Sequence, residues 1–441
     1  MRLLLLLPDG EIHRVGFGRF RISLREAPLT LTMLAALVPP ELEARIRLVD
    51  GSVEPIPWNA KADLVGISCL TGTAPRAYRM AARFRARGVP VVLGGVHVTL
   101  RPEEAARHAD AIVTGFAERA WPALLRDFAA GRMRPVYEGG QPDLAGLPRP
   151  RRDLQRRFAY AAPRTVFATR GCTNACDFCA VPAAAQVWRT RPVGEVIDEI
   201  RALPGRRFVF NDVSLAEDRD YAIELLTALV PLRRAWGGLI TARSAADEPL
   251  LDLMARSGCQ YLLLGFESAD GDTLRGIRKG FNDAVPYRRL MAAMHARGIS
   301  VQGCFIFGLD GDTPEVFDRT TALVQDLRID IPRYAIYTPY PGTEAFERLE
   351  REGRLLHRDW SRYDTRHAVF QPSGMSPADL EAGYRRAYRE TFRLRAIRHR
   401  LAASPRRTIA LIGNLAYRRF ARRLPAKDPS PAGPAQDGSA A

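Results

Sequence analysis

The sequence predicts an α/β protein in which two parallel β-sheet domains follow one another and a helical extension ends the chain. Two observations lead to this fold class. Short apolar runs alternate with helical patterns over about the first 130 residues, and a second series of six such runs lies between residues 165 and 339. This alternation favours parallel pairing, because each parallel connection needs a crossover segment. At 441 residues the chain is long enough for two or three domains with cores of their own.

Five strand candidates define the first domain, which we place at residues 1–138. Helical patterns that begin near Pro28, Ala74, Pro102 and Glu118 separate them. Strands of this number and length fit a flavodoxin-like (Rossmann-like) doubly wound sheet, in which ligands bind beyond the carboxyl ends of the strands. The candidates are RLLLLL, RIRLVD, DLVGISC, VPVVLGG and DAIVTG.

Small and polar residues follow the third, fourth and fifth of these strands, so we expect a ligand site there. Gly94 and Gly95 leave bare backbone against which a bulky nucleotide group can lie, and neighbouring hydroxyls can form hydrogen bonds with it. A generic nucleotide site is the alternative, because a glycine pair after a strand is a weak signal by itself. The candidate binding residues are Ser68, Thr71, Gly72, Gly94, Gly95, His97, Thr99, Gly115 and Glu118.

A polar, proline-rich stretch predicts a linker over residues 139–160. Six strand candidates then alternate with helical patterns and predict a partial (β/α)6 barrel over residues 161–345, with its ligands at the C-terminal ends of the strands. A helical extension is expected over residues 346–424. The barrel strand candidates are TVFATR, RRFVFND, GLITAR, YLLLGFES, VQGCFIFG and PRYAIYTP.

Three cysteines with the spacing C-x3-C-x2-C directly follow the first barrel strand. Three thiolates cannot complete a four-ligand metal site, whereas a [4Fe–4S] cluster held by three of them keeps one iron open to an outside ligand. An amino acid that offers its amino nitrogen and carboxylate together can chelate that iron. A zinc site is the alternative, but the chain has no histidine between His108 and His295 to serve as a nearby fourth ligand. The cysteines are Cys172, Cys176 and Cys179.

The segment TRGCTNACDFCAVP, with Gly171 before the first cysteine and Phe178 before the last, resembles the radical S-adenosylmethionine superfamily. Upstream, DLVGISCLTGT, VVLGGVHVTLRPEEA and DAIVTGFAE resemble the cobalamin-binding domain that precedes many radical S-adenosylmethionine domains. The resemblance implies three cofactors, namely a [4Fe–4S] cluster, S-adenosylmethionine and cobalamin. Proteins that ligate cobalt use D-x-H-x-x-G, and here Glu11 replaces the aspartate before His13. We therefore expect cobalamin without a protein ligand to cobalt, with His13 as the alternative ligand.

The same resemblance assigns residues at later strand ends to S-adenosylmethionine. The second strand end usually contacts its amino group, the third and fourth pair with its carboxylate and ribose hydroxyls, and the fifth strand packs on adenine. Taken singly, each of these residue types also fits an ordinary surface or ion-pair role. The residues so assigned are Asn211, Asp212, Arg243, Glu267, Ser268 and Gly303.

The resemblance implies a cobalamin-dependent methyltransferase that methylates an unactivated carbon through a 5'-deoxyadenosyl radical. The alternatives are a cyclase, ring-contracting or oxidative enzyme of tetrapyrrole or lipid biosynthesis, and a non-catalytic cobalamin or cluster sensor. A methylthiotransferase needs further N-terminal cysteines, and the first domain holds only Cys69. The expected partners are a small-molecule substrate, with a hydrophobic one favoured, and a reductant such as flavodoxin or ferredoxin.

The formal charge of +16 invites a nucleic-acid interpretation, but nearly all the basic residues are arginines, and lysine occurs only at positions 61, 279 and 427. Such an excess of arginine over lysine more often reflects the base composition of the genome than a function of the protein. No helix-turn-helix pattern supports nucleic-acid binding. An oxygen-sensitive cluster needs a reducing compartment, so we expect a cytoplasmic protein. The apolar run Leu3 to Leu7 is too short for a signal peptide or a membrane span and is expected to be a buried strand.

Residues 393–427 carry eleven basic residues and no acidic one. Within them, Ile409, Ile412, Leu415, Ala416 and Phe420 stand near helical spacing, with arginines on the other flank. This pattern predicts a helix that lies on an anionic membrane surface, so the protein is expected at the inner membrane as a peripheral component. The alternative is a helix packed on its own domain with a solvated basic face. Residues 425–441 are expected to be disordered.

Overall fold

The structure is a computed structural model that describes residues 1–10, 14–17, 20–156, 158–283 and 285–425. Two six-stranded parallel sheets with covering helices account for most of this part of the chain. The strands are β1 Arg2–Leu7, β2 Arg14–Phe17, β3 Phe20–Glu26, β4 Arg45–Asp50, β5 Leu64–Ser68, β6 Val91–Gly94, β7 Ala111–Thr114, β8 Val136–Glu138, β9 Tyr160–Ala162, β10 Thr165–Val166, β11 Thr169–Arg170, β12 Arg189–Thr190, β13 Arg207–Phe210, β14 Ala235–Ile240, β15 Cys259–Glu267, β16 Ser300–Phe307 and β17 Ile331–Ile336.

The helices lie between these strands and after the last one. They are α1 Thr30–Ala36, α2 Ala74–Arg85, α3 Val96–Leu100, α4 Pro102–Ala106, α5 Ala117–Ala129, α6 Ala180–Ala183, α7 Val193–Ala202, α8 Arg219–Leu229, α9 Ala242–Ala245, α10 Glu248–Arg256, α11 Gly271–Gly276, α12 Tyr287–Ala296, α13 Val316–Asp326, α14 Glu344–Arg351, α15 Pro377–Thr391, α16 Leu394–Ala403 and α17 Arg407–Arg423. No helix of the described ranges is long and apolar enough to cross a membrane.

The first sheet has the strand order β4-β1-β5-β6-β7-β8, and all its pairs are parallel. Its first five strands follow the flavodoxin-like order, which confirms the predicted fold class. Strand β8 is an addition that the sequence did not predict. Its three residues alternate exposed, buried and exposed, so it lacks the apolar run by which the other strands were recognised.

The second sheet has the order β10-β13-β14-β15-β16-β17, again parallel throughout, which confirms the six-unit partial barrel. The run TVFATR was predicted as one strand, but the structure divides it into β10 and β11. The carboxylate of Asp212 is the physical reason. It accepts hydrogen bonds from the backbone nitrogens of Ala168, at 2.9 Å, and Thr169, so these amides bond to a side chain instead of a neighbouring strand.

A third, smaller sheet pairs β2 antiparallel with β3 and β3 parallel with β9, and it links the N-terminal chain to the predicted linker. Near it, the Thr165 hydroxyl donates to the carbonyl of Ala27 at 2.8 Å, and the Tyr160 hydroxyl donates to Asp50 at 2.9 Å. The first bond joins the second large sheet to the end of β3, and the other joins β9 to the first large sheet, so both large sheets are held to the small one. The domain limits stay a prediction, and the two large sheets fall inside residues 1–138 and 161–345.

Helices α15, α16 and α17 form the expected C-terminal extension and cover the free edge of the second sheet. The hydroxyl of Tyr388 accepts a hydrogen bond from the backbone nitrogen of Tyr334 at 3.1 Å and donates one to its carbonyl at 3.0 Å. One side chain thus occupies backbone groups of β17 that an open strand edge would leave unpaired. Beside it, Asn414 of α17 donates to the carbonyl of Asp330 at 2.7 Å.

Helix α17 therefore packs on its own domain, as the alternative interpretation expected, and it also keeps an apolar outer face. Leu411, Ile412 and Leu415 are 42%, 60% and 48% exposed. Phe420, which the sequence placed on the same stripe, is partly buried against the core. Apart from Pro425, the tail expected to be disordered lies outside the described residues.

Candidate functional site

An open cleft lies where the carboxyl ends of the first sheet face the start of the second domain. It encloses about 1400 Å³, including the space at its mouth. Loops after β5, β6 and β7 form one wall, and the chain around β10, β11 and β13 forms the other. Of the residues predicted from the sequence, the cleft brings together Ser68, Gly94, Gly95, Thr99, Gly115, Glu118 and Asn211.

Gly95 shows why this wall consists of bare backbone. It has a φ of +101°, and a Cβ atom there would lie 2.5 Å from the carbonyl oxygen of Cys69. Beside it, the Thr99 hydroxyl accepts a hydrogen bond from the backbone nitrogen of Gly115 at 2.9 Å and donates to the carbonyl of Gly95 at 3.2 Å. Thr99 therefore connects two loops of the wall, and the glycines allow close approach of a large ligand.

The inner part of the cleft is apolar, and the sequence reasoning missed it. Side chains of α1 and α5 line it together with Gly66 of β5. A Cβ atom at Gly66 would lie 2.8 Å from the end of the Leu5 side chain and 3.3 Å from the Trp121 ring, so a larger residue there would require Leu5 to move. The apolar periodicity of α1 predicted a covering helix but not which of its residues would face a ligand. These lining residues are Leu29, Met33, Leu34, Leu37 and Trp121.

An ion pair between the two domains stands at the mouth of the cleft. The guanidinium of Arg170 binds one carboxylate oxygen of Glu118, and it lies 5.1 Å from the Phe116 ring and 4.7 Å from the Phe167 ring. The second oxygen of Glu118 is buried without a hydrogen-bond partner among the described residues. A buried acceptor of this kind at a cleft fits a ligand that donates a hydrogen bond.

The cysteine loop begins directly after Arg170. Gly171, with a φ of +78°, turns the chain there, and Cys172, Cys176 and Cys179 are all partly buried. The backbone nitrogen and the side-chain amide of Asn174 donate to the Cys172 sulfur at 3.4 and 3.3 Å. Hydrogen bonds to a sulfur of this kind are typical of iron–sulfur sites. Burial raises the pKa of the Cys176 thiol to about 12, so metal binding has to drive its deprotonation.

Three thiols on one loop, one of them with two N–H donors aimed at its sulfur, fit a [4Fe–4S] cluster. The other three cysteines lie elsewhere in the structure. Among the described residues, no three histidine, cysteine or acidic side chains converge as the ligands of a single metal ion would.

Aromatic and acidic side chains hold the cysteine loop against the barrel. The ring of Phe178 meets the ring of Tyr337 edge-on at 6.2 Å. Asp177, between two of the cysteines, accepts a hydrogen bond from the Tyr337 hydroxyl at 3.3 Å, and its backbone nitrogen donates to Ile277 at 3.3 Å. Phe178 is thus a packing residue of the loop in this structure.

The residues expected to contact S-adenosylmethionine divide into three groups. Asn211 lines the cleft, whereas Asp212 is buried and bound to the chain of β10 and β11. Arg243 stands at the rim of the cysteine loop, 3.5 Å from Asn174. Gly303 faces away from the barrel interior, because a Cβ atom there would lie 3.0 Å from Ile329 and Phe266.

Glu267 and Ser268 close the fourth barrel strand beside the cysteine loop. Glu267 has a φ of +62° and forms an ion pair with Lys279 at 2.6 Å. The Ser268 hydroxyl accepts a hydrogen bond from the backbone nitrogen of Asp270 at 3.1 Å. The sequence reasoning missed Lys279, although it is one of three lysines in the chain. Residues other than glycine with a left-handed backbone cluster at active sites and ligand-binding sites.

Thr71, Gly72 and His97 lie away from the cleft, against the C-terminal extension. His97 is fully buried, with its ring nitrogens 3.2 Å from the Thr71 hydroxyl and 3.1 Å from the Tyr78 hydroxyl. Gly72 packs against the backbone of Tyr363. The alternative cobalt ligand His13 lies outside the described residues.

Comparisons with known proteins show the family of the chain. Residues 4–125 match the family model for the B12 binding domain, and residues 166–324 match the model for the radical SAM superfamily. A bacteriochlorophyllide d C-12(1)-methyltransferase of Chlorobaculum tepidum is 31% identical over 90% of this chain and 89% of its own length. The chain belongs to the cobalamin-dependent radical S-adenosylmethionine enzymes. Its cofactors are a [4Fe–4S] cluster, S-adenosylmethionine and cobalamin.

Further relatives of this enzyme span most of the chain. A bacteriochlorophyllide d C-8(2)-methyltransferase of Chlorobaculum tepidum is 30% identical over 89% of this chain and 91% of its own length. An anaerobic magnesium-protoporphyrin IX monomethyl ester cyclase of Rubrivivax gelatinosus is 26% identical over 75% of this chain and 66% of its own length. The relatives therefore include methyltransferases, in agreement with the expected function, and cyclases, which are consistent with the alternative.

Solved structures share the fold. The methyltransferase TsrM from Kitasatospora setae, with cobalamin and a [4Fe–4S] cluster bound, superposes with a TM-score of 0.64 at 18% identity and covers 80% of this chain and 75% of its own. The cobalamin-dependent enzyme OxsB with aqua-cobalamin bound gives a TM-score of 0.63 at 15% identity and covers 97% of this chain and 73% of its own.

Proposed function

We propose that this enzyme transfers a methyl group to a carbon atom of a tetrapyrrole of the bacteriochlorophyllide class. One observation carries the proposal. Two relatives at 31% and 30% identity, each aligned along about nine tenths of the chain, are methyltransferases of bacteriochlorophyllide d. The cleft and the cysteine loop support it, because Arg170 and Gly171 line the cleft and lead directly into the cysteines.

The residues have distinct roles in this proposal. Cys172, Cys176 and Cys179 hold the cluster, and Asn174 donates hydrogen bonds to a ligand sulfur. The backbone walls at Gly95 and Gly115 and the apolar inner cleft hold cobalamin. When bound, the cluster with S-adenosylmethionine supplies a carbon radical on the substrate, and cobalamin supplies the methyl group.

In this proposal Asn211 and Arg243 contact S-adenosylmethionine, and the support is that Asn211 lines the cleft and Arg243 lies at the rim of the cysteine loop. The Glu267–Lys279 pair keeps a fixed, compensated charge beside the same loop. An external one-electron donor such as flavodoxin or ferredoxin has to reduce the cluster, and a reductant of this kind belongs to the proposal.

Methyl transfer is tested with the anaerobically reconstituted holoenzyme, a reductant, S-adenosylmethionine labelled in its methyl group, and bacteriochlorophyllide d. We expect a product whose mass has increased by one labelled methyl group, together with 5'-deoxyadenosine. A product of altered mass without the label favours the ring-forming or oxidative alternative. Binding of all cofactors without release of 5'-deoxyadenosine, with every substrate tried, favours the sensor alternative.

We also infer that the enzyme works in the cytoplasm and docks on an anionic membrane surface through the outer face of α17. The apolar residues Leu411, Ile412 and Leu415 lie on the same side of the helix as Arg419 and Arg422. No acidic residue occurs from 391 to 427 to oppose them. An exposed apolar strip bordered by arginines complements a bilayer of anionic lipids, where each basic residue contributes about 1 kcal/mol.

Vesicle sedimentation tests this docking. We expect the protein to bind phosphatidylglycerol vesicles and not phosphatidylcholine vesicles, and the I412S/L415S variant to lose at least about tenfold in affinity, since two large apolar side chains no longer insert. The matched control is Leu356→Ser, which removes an equally exposed leucine far from α17. Equal binding to both lipids, or unchanged binding of the double variant, contradicts the docking.

A further inference from the structure

The interior of the partial barrel is an accessible chamber. Along β15, β16 and β17, side chains on the outer face, such as Leu264, Phe305 and Tyr334, are buried in the core. Residues that alternate with them point to the inner face and keep partial contact with solvent. In a filled barrel these inward residues would be packed as layers. The inward residues with partial exposure are Tyr261, Leu263, Gly265, Cys304, Ile306, Arg333 and Ala335.

One layer of this chamber combines two small residues with a cation. Gly265 of β15 pairs in register with Cys304 of β16, and Cys304 pairs with Arg333 of β17. Neighbouring strands lie about 4.8 Å apart, so this layer spans about 10 Å. The side chains of Glu267 and Lys279 fill the space above Gly265, since a Cβ atom there would lie 2.8 Å from Lys279 Nζ. Cys304 is small and partly exposed, and Arg333 projects into the layer beside it.

The guanidinium of Arg333 has no hydrogen bond and no ion pair with any of the described residues. Of the carboxylates near the chamber, that of Glu267 is paired with Lys279, and that of Asp364 is paired with Arg366 and His367. Other groups within electrostatic range of Arg333 are the Cys304 thiol and phenols of the extension. An arginine is always charged, and none of the Arg333 nitrogens is fully enclosed without a partner, so the guanidinium is open to the chamber and free to bind a ligand.

The chamber leads from Arg333 back to the cysteine loop. Cys304 is within electrostatic range of both Arg333 and Lys279, and Lys279 is within range of Cys176. Tyr340 lies within range of Arg333 and of Cys179. A substrate held at Arg333 would therefore extend toward the loop that holds the cluster.

We propose that Arg333 binds a carboxylate of the substrate and fixes its position in the barrel. The inference rests on the proposed function and adds the substrate group that the chamber recognises. A guanidinium forms two parallel hydrogen bonds with a carboxylate, which fixes both position and direction. A phosphate, with its larger charge, would need further donors, and among the described inward residues Arg333 is the cation without a partner.

Paired ligands test this assignment on the reconstituted enzyme under anaerobic conditions. Pheophorbide a carries a free propionate, and its methyl ester is the same chlorin without that charge. By fluorescence titration, we expect the wild type to bind the acid about 10–100-fold more tightly than the ester, as for a charged hydrogen bond. Arg333→Met should bind both ligands as weakly as the wild type binds the ester, and Arg333→Lys should keep part of the preference. Arg207→Met, on the exposed start of β13, is the control and should keep the full preference for the acid over the ester.

Thermal unfolding of the same proteins without ligand separates recognition from support of the fold. Because Arg333 has no partner, Arg333→Met should unfold at the wild-type temperature or above it. A fall of more than about 5 °C would mean that the guanidinium supports the structure, and it overturns the assignment. Equal binding of acid and ester by the wild type overturns it as well and leaves methyl transfer standing.

If the wild type binds neither chlorin, the result contradicts a tetrapyrrole as the substrate in the proposed function. The unfolding temperature of Arg333→Met then decides about Arg333 by itself. An unchanged or raised unfolding temperature supports the role of Arg333 in binding a ligand. A lowered unfolding temperature overturns that role.

Discussion

The carboxyl end of the first sheet forms two contacts with the rest of the chain, and they differ in how their polar groups are satisfied. At the cleft, loops after β5, β6 and β7 present bare backbone, and an oxygen of Glu118 is buried without a partner among the described residues. At the opposite side, His97 contacts the hydroxyls of Thr71 and Tyr78. The carboxylate of Glu104 there accepts hydrogen bonds from the Trp360 ring at 2.9 and 3.1 Å.

This difference separates a binding surface from a structural one, although both grow from the same strand ends. Nearly all buried polar atoms of a protein are paired, so an unpaired oxygen at the wall of a cleft fits a ligand, whereas the paired atoms at the other contact hold elements together. Substitutions at the cleft and the cysteine loop should therefore alter cofactor binding. Substitutions at the contact of His97 with Trp360 should alter stability.

The largest effect is expected at the cysteine loop. Cys176→Ala leaves two thiolates, which cannot hold the cluster, so iron content and release of 5'-deoxyadenosine should fall to background. Iron analysis and chromatography of the reaction check this. The control Cys259→Ala removes a buried cysteine of the barrel core and should keep the cluster. Retention of a full cluster in Cys176→Ala would contradict the assignment.

At the wall of the cleft, adjacent glycines give a matched pair. Gly95→Ala forces a Cβ atom to 2.5 Å from the Cys69 carbonyl at a φ of +101°, and should cost about 2–4 kcal/mol of unfolding free energy as well as cobalamin affinity. At Gly94 a Cβ atom finds its nearest neighbour at 3.6 Å, so Gly94→Ala should cost less than about 1 kcal/mol. Denaturant unfolding and cobalamin titration measure both. Equal losses would show that backbone conformation is not what this wall requires.

At the structural contact, Glu104→Gln should lower the unfolding free energy by about 1–3 kcal/mol at pH 7 and leave cobalamin affinity unchanged. Burial by itself raises the pKa of Glu104, but its bonds with His97, Tyr78 and Trp360 lower it below its usual value near 4.5. A lowered folded-state pKa stabilises the fold above that value, and the contribution is lost as the pH falls through the folded-state pKa.

The difference in stability between the wild type and Glu104→Gln should therefore shrink between neutral pH and about pH 3. Denaturant unfolding across this range checks it. The exposed neighbour Glu103→Gln is the control and should change stability by less than about 0.5 kcal/mol at any pH in the range. A difference that grows toward acid pH would contradict the role of the ionised carboxylate.

Much of the fold could be predicted from the sequence, because strand and crossover patterns are local. The apolar runs of β1, β4, β5, β6 and β7 fixed the first sheet, and those of the barrel fixed the second. Strand β8 and the small sheet of β2, β3 and β9 escaped prediction. Strands β2, β8 and β9 have only three or four residues. Strand β3 pairs with β9 from a distant part of the chain, where the Ser23 nitrogen donates to the carbonyl of Ala159.

The site was predicted unevenly for the same reason. The cysteines stand within eight residues of one another, so their spacing alone reports their proximity. The sequence did not predict which residues at the end of β5 and after it face the cleft. In the structure Ser68 faces the cleft, whereas Thr71 and Gly72 lie toward Tyr363. The local sequence does not predict which side of this loop the C-terminal extension covers.

The sequence by itself determined the two parallel sheets, the cysteine motif and the family, because these rest on periodicity and on spacing along the chain. Only the tertiary structure decided which strand-end residues meet in the cleft, that Asp212 bonds to the backbone of β10 and β11, and that Arg333 stands alone in the barrel. Burial and hydrogen bonding depend on which residues are neighbours in space. Such neighbours can be far apart in the sequence, as Glu104 and Trp360 are.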